Sequence, residues 1–349
     1  MTDPHPEPHD SQRPTLKTIA AETGLAIATV SRALKDASDI GEETKRRVRE
    51  TAERLGYRPN RAGVRLRTGK TNVIALVLST EVDVMNHTSQ LIYSIAEALR
   101  GTAYHLVIMP YFPDQDPLTP VRYIVETESA DGVILNQTTP DDPRIRYMAE
   151  RGFPFATHGR TSMGIEHPYF DFDNEAFARV SVRALAGRGR KRLLLIAPPR
   201  GHNYARHMIA GFMKEAALQG VTFEVMTTAT SDSGATKIEA AVAERYGQPK
   251  SPDGIVVGST TAAMAAVAGA ESAGLKIGRD FDVSAKEAIS FLRRFRKEII
   301  VTHEDVGRAG NFLARALMTA MERHGTEPDQ FLDTPADVSP AKDLTGDTR

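Results

Sequence analysis

TLKTIAAETGLAIATVSRAL, residues 15–34, decides how the N-terminal part of this 349-residue chain folds. Leu16, Ile19 and Ala20 fall on one side of a helix, Gly24 breaks it, and Ile27, Val30, Ala33 and Leu34 resume helical spacing. A third helical pattern, EETKRRVRETAERLG at 42–56, turns Val48, Ala52 and Leu55 to one side and its arginines to the other. Helix, glycine-containing turn, short helix and third helix make the helix-turn-helix arrangement. The short second helix packs its Val30 and Leu34 side on the first helix. Its opposite side is small enough to enter a major groove.

Charge agrees with that arrangement. The chain as a whole carries a net charge of −1, but ten basic residues and two acidic ones lie between Lys45 and Lys70. Most charge runs are solvated faces; a basic segment on one small helical unit fits a nucleic-acid footprint better. On this reading Arg32 makes paired hydrogen bonds to guanine, and Ile27 and Ala28 meet thymine methyls. Thr29 and Ser31 suit phosphate contacts, which position without specifying.

From Asn72 the period changes. Short apolar runs alternate with helical stretches: NVIALVLS (72–79), YHLVIM (104–109), DGVIL (131–135), FPFAT (153–157), RLLLIA (192–197), TFEVM (222–226), DGIVVG (253–258) and FDV (281–283). Such alternation predicts parallel sheets with crossover helices. This many strands fit two doubly wound lobes, with a boundary near Pro168–Phe172 and a return crossing near 285–303. The fold class expected is therefore α/β: an all-α helix-turn-helix headpiece followed by a two-lobed core. The expected organisation is a tail at 1–13, the DNA-binding domain at 14–59, a hinge helix and linker at 60–71, the core at 72–325 and a flexible tail at 326–349. Within the core, lobe 1 is assigned about 72–168 and 289–302, and lobe 2 about 169–288 and 303–325.

Several chemistries are excluded. With no cysteine there are no disulfides, thiolate zinc sites or cysteine nucleophiles, which agrees with a reducing, cytoplasmic compartment. The polar N-terminus MTDPHPEPHDSQR is no signal peptide, and no apolar run approaches the roughly 20 residues that span a bilayer. RTGKT at 67–71 looks like the end of a phosphate-binding loop, but valine stands at 64 where that loop needs glycine. There is no H-E-x-x-H, G-x-S-x-G or G-x-G-x-x-G, and the ten histidines are scattered or lie in the tail, as His5 and His9 do. No enzyme, metal site or cofactor is expected; a binding cleft is the simpler reading.

The run from Thr15 to Leu66, with TVSRAL followed by GYRPN and a basic hinge, resembles the headpiece and hinge of the lactose-repressor (LacI/GalR) family. The lengths behind it match that family's core, which is built like the periplasmic binding proteins. The resemblance implies base contacts from Ile27, Ala28 and Arg32, with Leu66 as an apolar wedge in the minor groove. It also implies phosphate contacts from Thr15, Thr29, Ser31, Thr44, Asn60 and Arg61. Two departures stand out: Ala26 replaces the family's usual Ser cap, and Gly63 replaces an Ala in the hinge.

Three polar stretches carry the ligand expectation: EVDVMNHTSQ (81–90), PPRGHNYARHM (198–208) and DVSAKEA (282–288), each taken as a loop. The resemblance implicates Asp83, Asn86, His87, Asn136, His158, Arg160, His202, Asn203, Tyr204, Ser259, Thr260 and Glu287 in binding an effector. Arg160 fits a structural ion pair between lobes as well. Met208 stands where many members have arginine, which favours a sugar or polyol over an anion; Lys286, Arg206 and Arg160 are the groups that would serve an anionic effector.

The implied partners are double-stranded, pseudo-palindromic operator DNA, a small carbohydrate effector and a second copy of the chain, at the bacterial nucleoid and with no membrane. The implied mechanism is a coupling free energy between cleft and DNA site, with ligand closing the lobes and melting the hinge helices. The residues fit release by ligand or recruitment by it. Induction is the commoner arrangement in the family, so repression relieved by ligand is the expectation. The alternative is the same architecture as an activator, or one needing a corepressor or phosphorylated effector.

Overall fold

A computed structural model of the chain describes residues 14–58, 65, 69–80, 85–323, 325 and 327–335. The chain divides into two compact units, residues 1–71 and 72–349.

The described part of the first unit contains the helices α1 (Leu16–Thr23), α2 (Ile27–Ala33) and α3 (Glu42–Arg54). Thr15 caps α1 reciprocally with Thr18, and Gly24 ends it in the left-handed region at φ 67°, where glycine meets no Cβ penalty. Ala26 leaves α2 without a side-chain cap. Ile19, Val30, Ala33 and Val48 close a small buried core.

In the second unit, lobe 1 begins with β1 (Val73–Ser79), α4 (Met85–Ala98), β2 (His105–Tyr111), α5 (Leu118–Thr127), β3 (Gly132–Leu135), α6 (Pro143–Glu150), β4 (Phe155–His158) and β5 (Tyr169–Phe172). Lobe 2 follows as α7 (Asn174–Gly187), β6 (Arg192–Ile196), α8 (Asn203–Leu218), β7 (Thr222–Val225), α9 (Ala235–Tyr246), β8 (Gly254–Val257), α10 (Thr260–Ser272), β9 (Asp282–Glu287), α11 (Leu292–Phe295) and β10 (Ile300–His303). The chain then returns to lobe 1 as α12 (Val306–Glu322) and β11 (Gln330–Asp333). Among the described residues every strand pair is parallel, in the orders β11-β5-β4-β3-β1-β2 and β10-β9-β8-β6-β7. Parallel strands are covered on both faces, which is why VIALVLS, GVIL and GIVV are apolar without alternation.

The lobe assignment differs from the expectation in three places. The strand at 169–172 pairs with β4 and belongs to lobe 1, so the first crossing falls at Asp173. The stretch 289–302, expected in lobe 1, belongs to lobe 2, with Leu292 and Ile299 in its core and β10 paired with β9. The helix at 306–322, expected in lobe 2, packs its Val306, Leu313 and Leu317 into the lobe 1 core. Residues 330–333, assigned to a flexible tail, add a strand to lobe 1 beside β5. The stretch 282–288, expected as a loop, is largely strand β9, buried between β8 and β10. In each case pairing with a partner distant in sequence decides the outcome, and a local pattern carries no record of it.

Candidate functional site

The first unit presents the exposed face of α2. Ile27, Ala28 and Arg32 are exposed there, while Val30 and Ala33 are buried beneath them. Thr29, Ser31 and Thr44 are half-buried, and Thr15 is the α1 cap. Arg32 pairs with the exposed Asp39. The arginines of α3 are engaged within the same unit: Arg46 with Glu43, Arg49 with Asp36, Arg54 with Glu22, and Arg47 with the Thr23 carbonyl at the end of α1. Lys45 is buried and bonds Glu42 at 2.6 Å. The basic surplus of this segment therefore also stitches the three helices together. Exposed pairs of this kind contribute about 0–1 kcal/mol each, so phosphates can replace the acidic partners cheaply. Asn60, Arg61 and Leu66 lie outside the described residues.

In the second unit a cavity of about 130 Å³ lies at the carboxyl ends of both sheets, where open parallel sheets place their ligands. Lobe 1 contributes His87, Asn136, His158, Asp171 and Phe172; lobe 2 contributes Asn174, Tyr204, Ser231, Asp232, Ser259, Thr260 and Lys286. Glu304 joins them from the return crossing between β10 and α12.

The basic groups at the cleft are paired, while Asp232 accepts from the hydroxyls of Tyr204 and Ser231. Lys286 Nζ lies 2.7 Å from Glu304 Oε2 and 3.2 Å from Asn174 Oδ1, over the Phe172 ring. Burial pushes the Glu304 carboxyl up, but the Lys286 ammonium and the His87 hydrogen bond outweigh it and hold the group well below its usual range. Burial, with His87 beside it, pushes His158 down to about 3 and keeps it neutral. Burial drives Asp171 up to about 6, even though Arg160 Nε donates to it at 2.6 Å. Asn136 Oδ1 and His158 Nε2 are buried with no hydrogen-bond partner among the described residues. Both residues line the cavity, and unpartnered polar atoms there are free to bond a molecule that enters.

The loop after β3 is held from below. Arg144, fully buried beside Asp142, donates to the carbonyls of Asn136 at 3.2 Å and Gln137 at 3.1 Å. Gly159, at φ 109°, passes so close to Thr138 that a Cβ would overlap its hydroxyl. Asn203 joins the lobes: its backbone N–H donates to the Thr138 carbonyl and its Nδ2 to the Arg160 carbonyl, both at 2.9 Å.

Six of the expected ligand residues thus line the cavity: His87, Asn136, His158, Tyr204, Ser259 and Thr260. Four do not. Arg160 is spent on Asp171 within lobe 1, and Asn203 on the inter-lobe bonds. His202 stacks on Tyr204 and accepts or donates at its hydroxyl, 3.0 Å away. Glu287 is buried and accepts from the backbone N–H groups of Phe291 and Leu292 at 3.0 and 2.9 Å. Asp83 lies outside the described residues, as does the side chain of Asn86. Sequence reasoning missed Asp171, Phe172, Asn174, Asp232 and Glu304. YFDFDN at 169–174 carries a usable signal, since acidic and amide groups close an apolar strand there; HED at 303–305 offers no comparable one.

Against known proteins, residues 71–329 match the model described as periplasmic binding proteins and sugar binding domain of LacI family. Residues 15–60 match that of bacterial regulatory proteins, lacI family. The chain belongs to the LacI family. As such it is a helix-turn-helix transcriptional regulator with a periplasmic-binding-protein-like core. It is 29% identical over 326 residues to the HTH-type transcriptional regulator AglR of Rhizobium meliloti, covering 91% of this chain and 90% of the relative. It is 36% identical over 192 residues to RafR of Escherichia coli, 54% of this chain and 57% of the relative. Among solved structures it is similar to the lac repressor dimer bound to operator and the anti-inducer ONPF, with TM-score 0.82 and 19% identity, covering 95% of this chain and all (100%) of that one. The CelR–cellobiose complex gives TM-score 0.66 at 21% identity over 94% of this chain and 100% of that one. Among the described residues no helix is long and apolar enough to cross a membrane.

Proposed function

We propose that this regulator is a cytoplasmic repressor, released from a pseudo-palindromic operator when a neutral sugar or polyol binds between the lobes of its core. It binds that effector without turning it over. The observation that carries the reading is the charge pairing of the cleft. Lys286 is committed to Glu304 and Arg160 to Asp171, while Arg206 is exposed and outside the lining. Asn136 Oδ1, without a hydrogen-bond partner among the described residues, suits a hydroxyl group; a phosphate would face Asp171, Asp232 and Glu304. The cavity has room for about ten water-sized positions, the scale of one or two sugar rings. The structural likeness to a protein solved with cellobiose supports a sugar.

A homodimer suits the surface. Tyr93 on α4, Val107 and Ile108 on β2, and Phe112 just beyond it are exposed, and β2 is an edge strand. Met213 and Leu218 on α8 and Phe223 on β7 give lobe 2 a second exposed apolar face. A symmetric dimer reads two half-sites, which makes the operator pseudo-palindromic.

The test is a thermal-shift series with sugars, polyols, sugar phosphates and nucleosides, since a ligand of the native state raises its melting temperature. Stabilisation by a neutral sugar or polyol is expected. Stabilisation confined to phosphorylated compounds would overturn the ligand class.

A further inference from the structure

His87, His158 and Glu304 converge at the cavity in a way that hydroxyl recognition does not require. Nε2 of His87 lies 3.5 Å from Glu304 Oε1, and Nε2 of His158 lies 3.9 Å from the same oxygen. All three donor atoms fall within 4.8 Å of one another. The two imidazoles meet edge to face, ring centres 5.0 Å apart. His158 is nine-tenths buried, with side-chain exposure of 10%, and its Nε2 has no hydrogen-bond partner among the described residues. Glu304 turns its other oxygen to Lys286, so Oε1 is the one left for the two imidazoles.

We propose that His87, His158 and Glu304 form a site for a divalent transition-metal ion of the zinc class, with a fourth position open to the cleft. Tetrahedral zinc bonds of about 2.0–2.2 Å hold donor atoms roughly 3.3–3.5 Å apart. The two histidine–glutamate separations need to contract by only a few tenths of an ångström. The histidine–histidine separation is closed by rotation of His87, which is partly exposed on the cleft helix α4. Two imidazoles and one carboxylate select zinc, cobalt, nickel or copper over magnesium and calcium, which prefer all-oxygen sites. Three protein ligands leave the fourth position to water or to a hydroxyl of whatever molecule enters the cleft. The ammonium of Lys286 opposes the ion, so the site is weaker than its ligands alone would make it. This site does not depend on the identity of the effector.

The test uses the full chain, stripped with a chelator and titrated with cobalt(II) while following its visible d–d absorption, then with zinc in competition. Wild type is expected to show a saturable tetrahedral spectrum that zinc abolishes. His158→Ala and His87→Ala should each weaken binding by at least about tenfold, a loss already reached when only outer-shell partners of a metal are removed. Lys286→Met should bind more tightly. A variant replacing His5 and His9 with alanine should bind like wild type, which separates the cleft from the N-terminal tail. Circular dichroism establishes that each variant is folded. Equal cobalt binding by wild type and both cleft variants would overturn the proposal, as would the absence of a tetrahedral spectrum in wild type.

Discussion

Lys286, on the last lobe 2 strand but one, holds Glu304 at the return crossing through a 2.7 Å ion pair that is almost wholly buried. A ligand in the cleft therefore touches a bond anchored on the segment that joins the lobes. Glu304→Gln removes the carboxylate charge and leaves the ammonium with neutral partners, an amide carbonyl, Asn174 Oδ1 and the Phe172 ring. Breaking one half of such a pair costs about 3 kcal/mol, whereas removing both charges costs much less. Urea denaturation of Glu304→Gln and of the double variant Lys286→Met/Glu304→Gln should show the double variant as the more stable. A double variant less stable than the single one contradicts this.

Asp171 gives the core a pH signature. Its folded value of about 6 lies above the 3.8 of an ordinary aspartate, so the folded chain holds this proton where the unfolded chain has lost it. Its contribution to stability is present at low pH and is lost as pH rises from about 4 to about 6. Asp171→Asn cannot ionise. Relative to wild type, the variant should gain melting temperature between about pH 3 and about pH 7, each on the order of one unit outside that window. A constant difference across the range would place the folded value near that of a free carboxylate.

On the exposed face of α2, Arg32 is paired with Asp39, and a base contact by Arg32 requires exchanging that partner. Arg32→Lys removes the paired donors and should weaken operator binding by about 1–3 kcal/mol, with much less effect on non-specific DNA. Asp39→Asn should strengthen both slightly. Fluorescence anisotropy at fixed salt reads all of these; equal losses on operator and non-specific DNA for Arg32→Lys would assign Arg32 to phosphate.

Close helix packing supplies a stability test free of the cleft. A methyl at Gly211 on α8 would overlap the Glu175 carbonyl on α7, a backbone atom that cannot swing aside. Gly211→Ala should cost about 1–3 kcal/mol by overpacking. At Gly187 nothing lies within 4 Å, so Gly187→Ala should be neutral or stabilising. Equal denaturation midpoints would remove the close contact.

The three-helix unit was legible because its signals are local: Thr15 caps, Gly24 stops, and Ile19, Val30 and Val48 repeat at helical spacing. The strands of the core were legible as apolar runs, but not their partners. Residues 300–303 show nothing that points to β9, and 330–333 show nothing that points to β5. The cleft was half legible for the same reason. His87, Asn136 and Tyr204 lie in or beside polar segments that advertise themselves, whereas Glu304 becomes a cleft residue only because β10 delivers it beside Lys286. Glu287, in the same polar stretch as Lys286, points its carboxylate to the backbone of 291–292.

The most direct test of the whole account is operator affinity measured with and without the sugar that most stabilises the core, at one salt concentration. The account predicts that saturating sugar weakens operator binding by at least about tenfold, a coupling of roughly 1.4 kcal/mol or more. A sugar that stabilises the core and leaves operator affinity unchanged, or raises it, would contradict repression relieved by ligand.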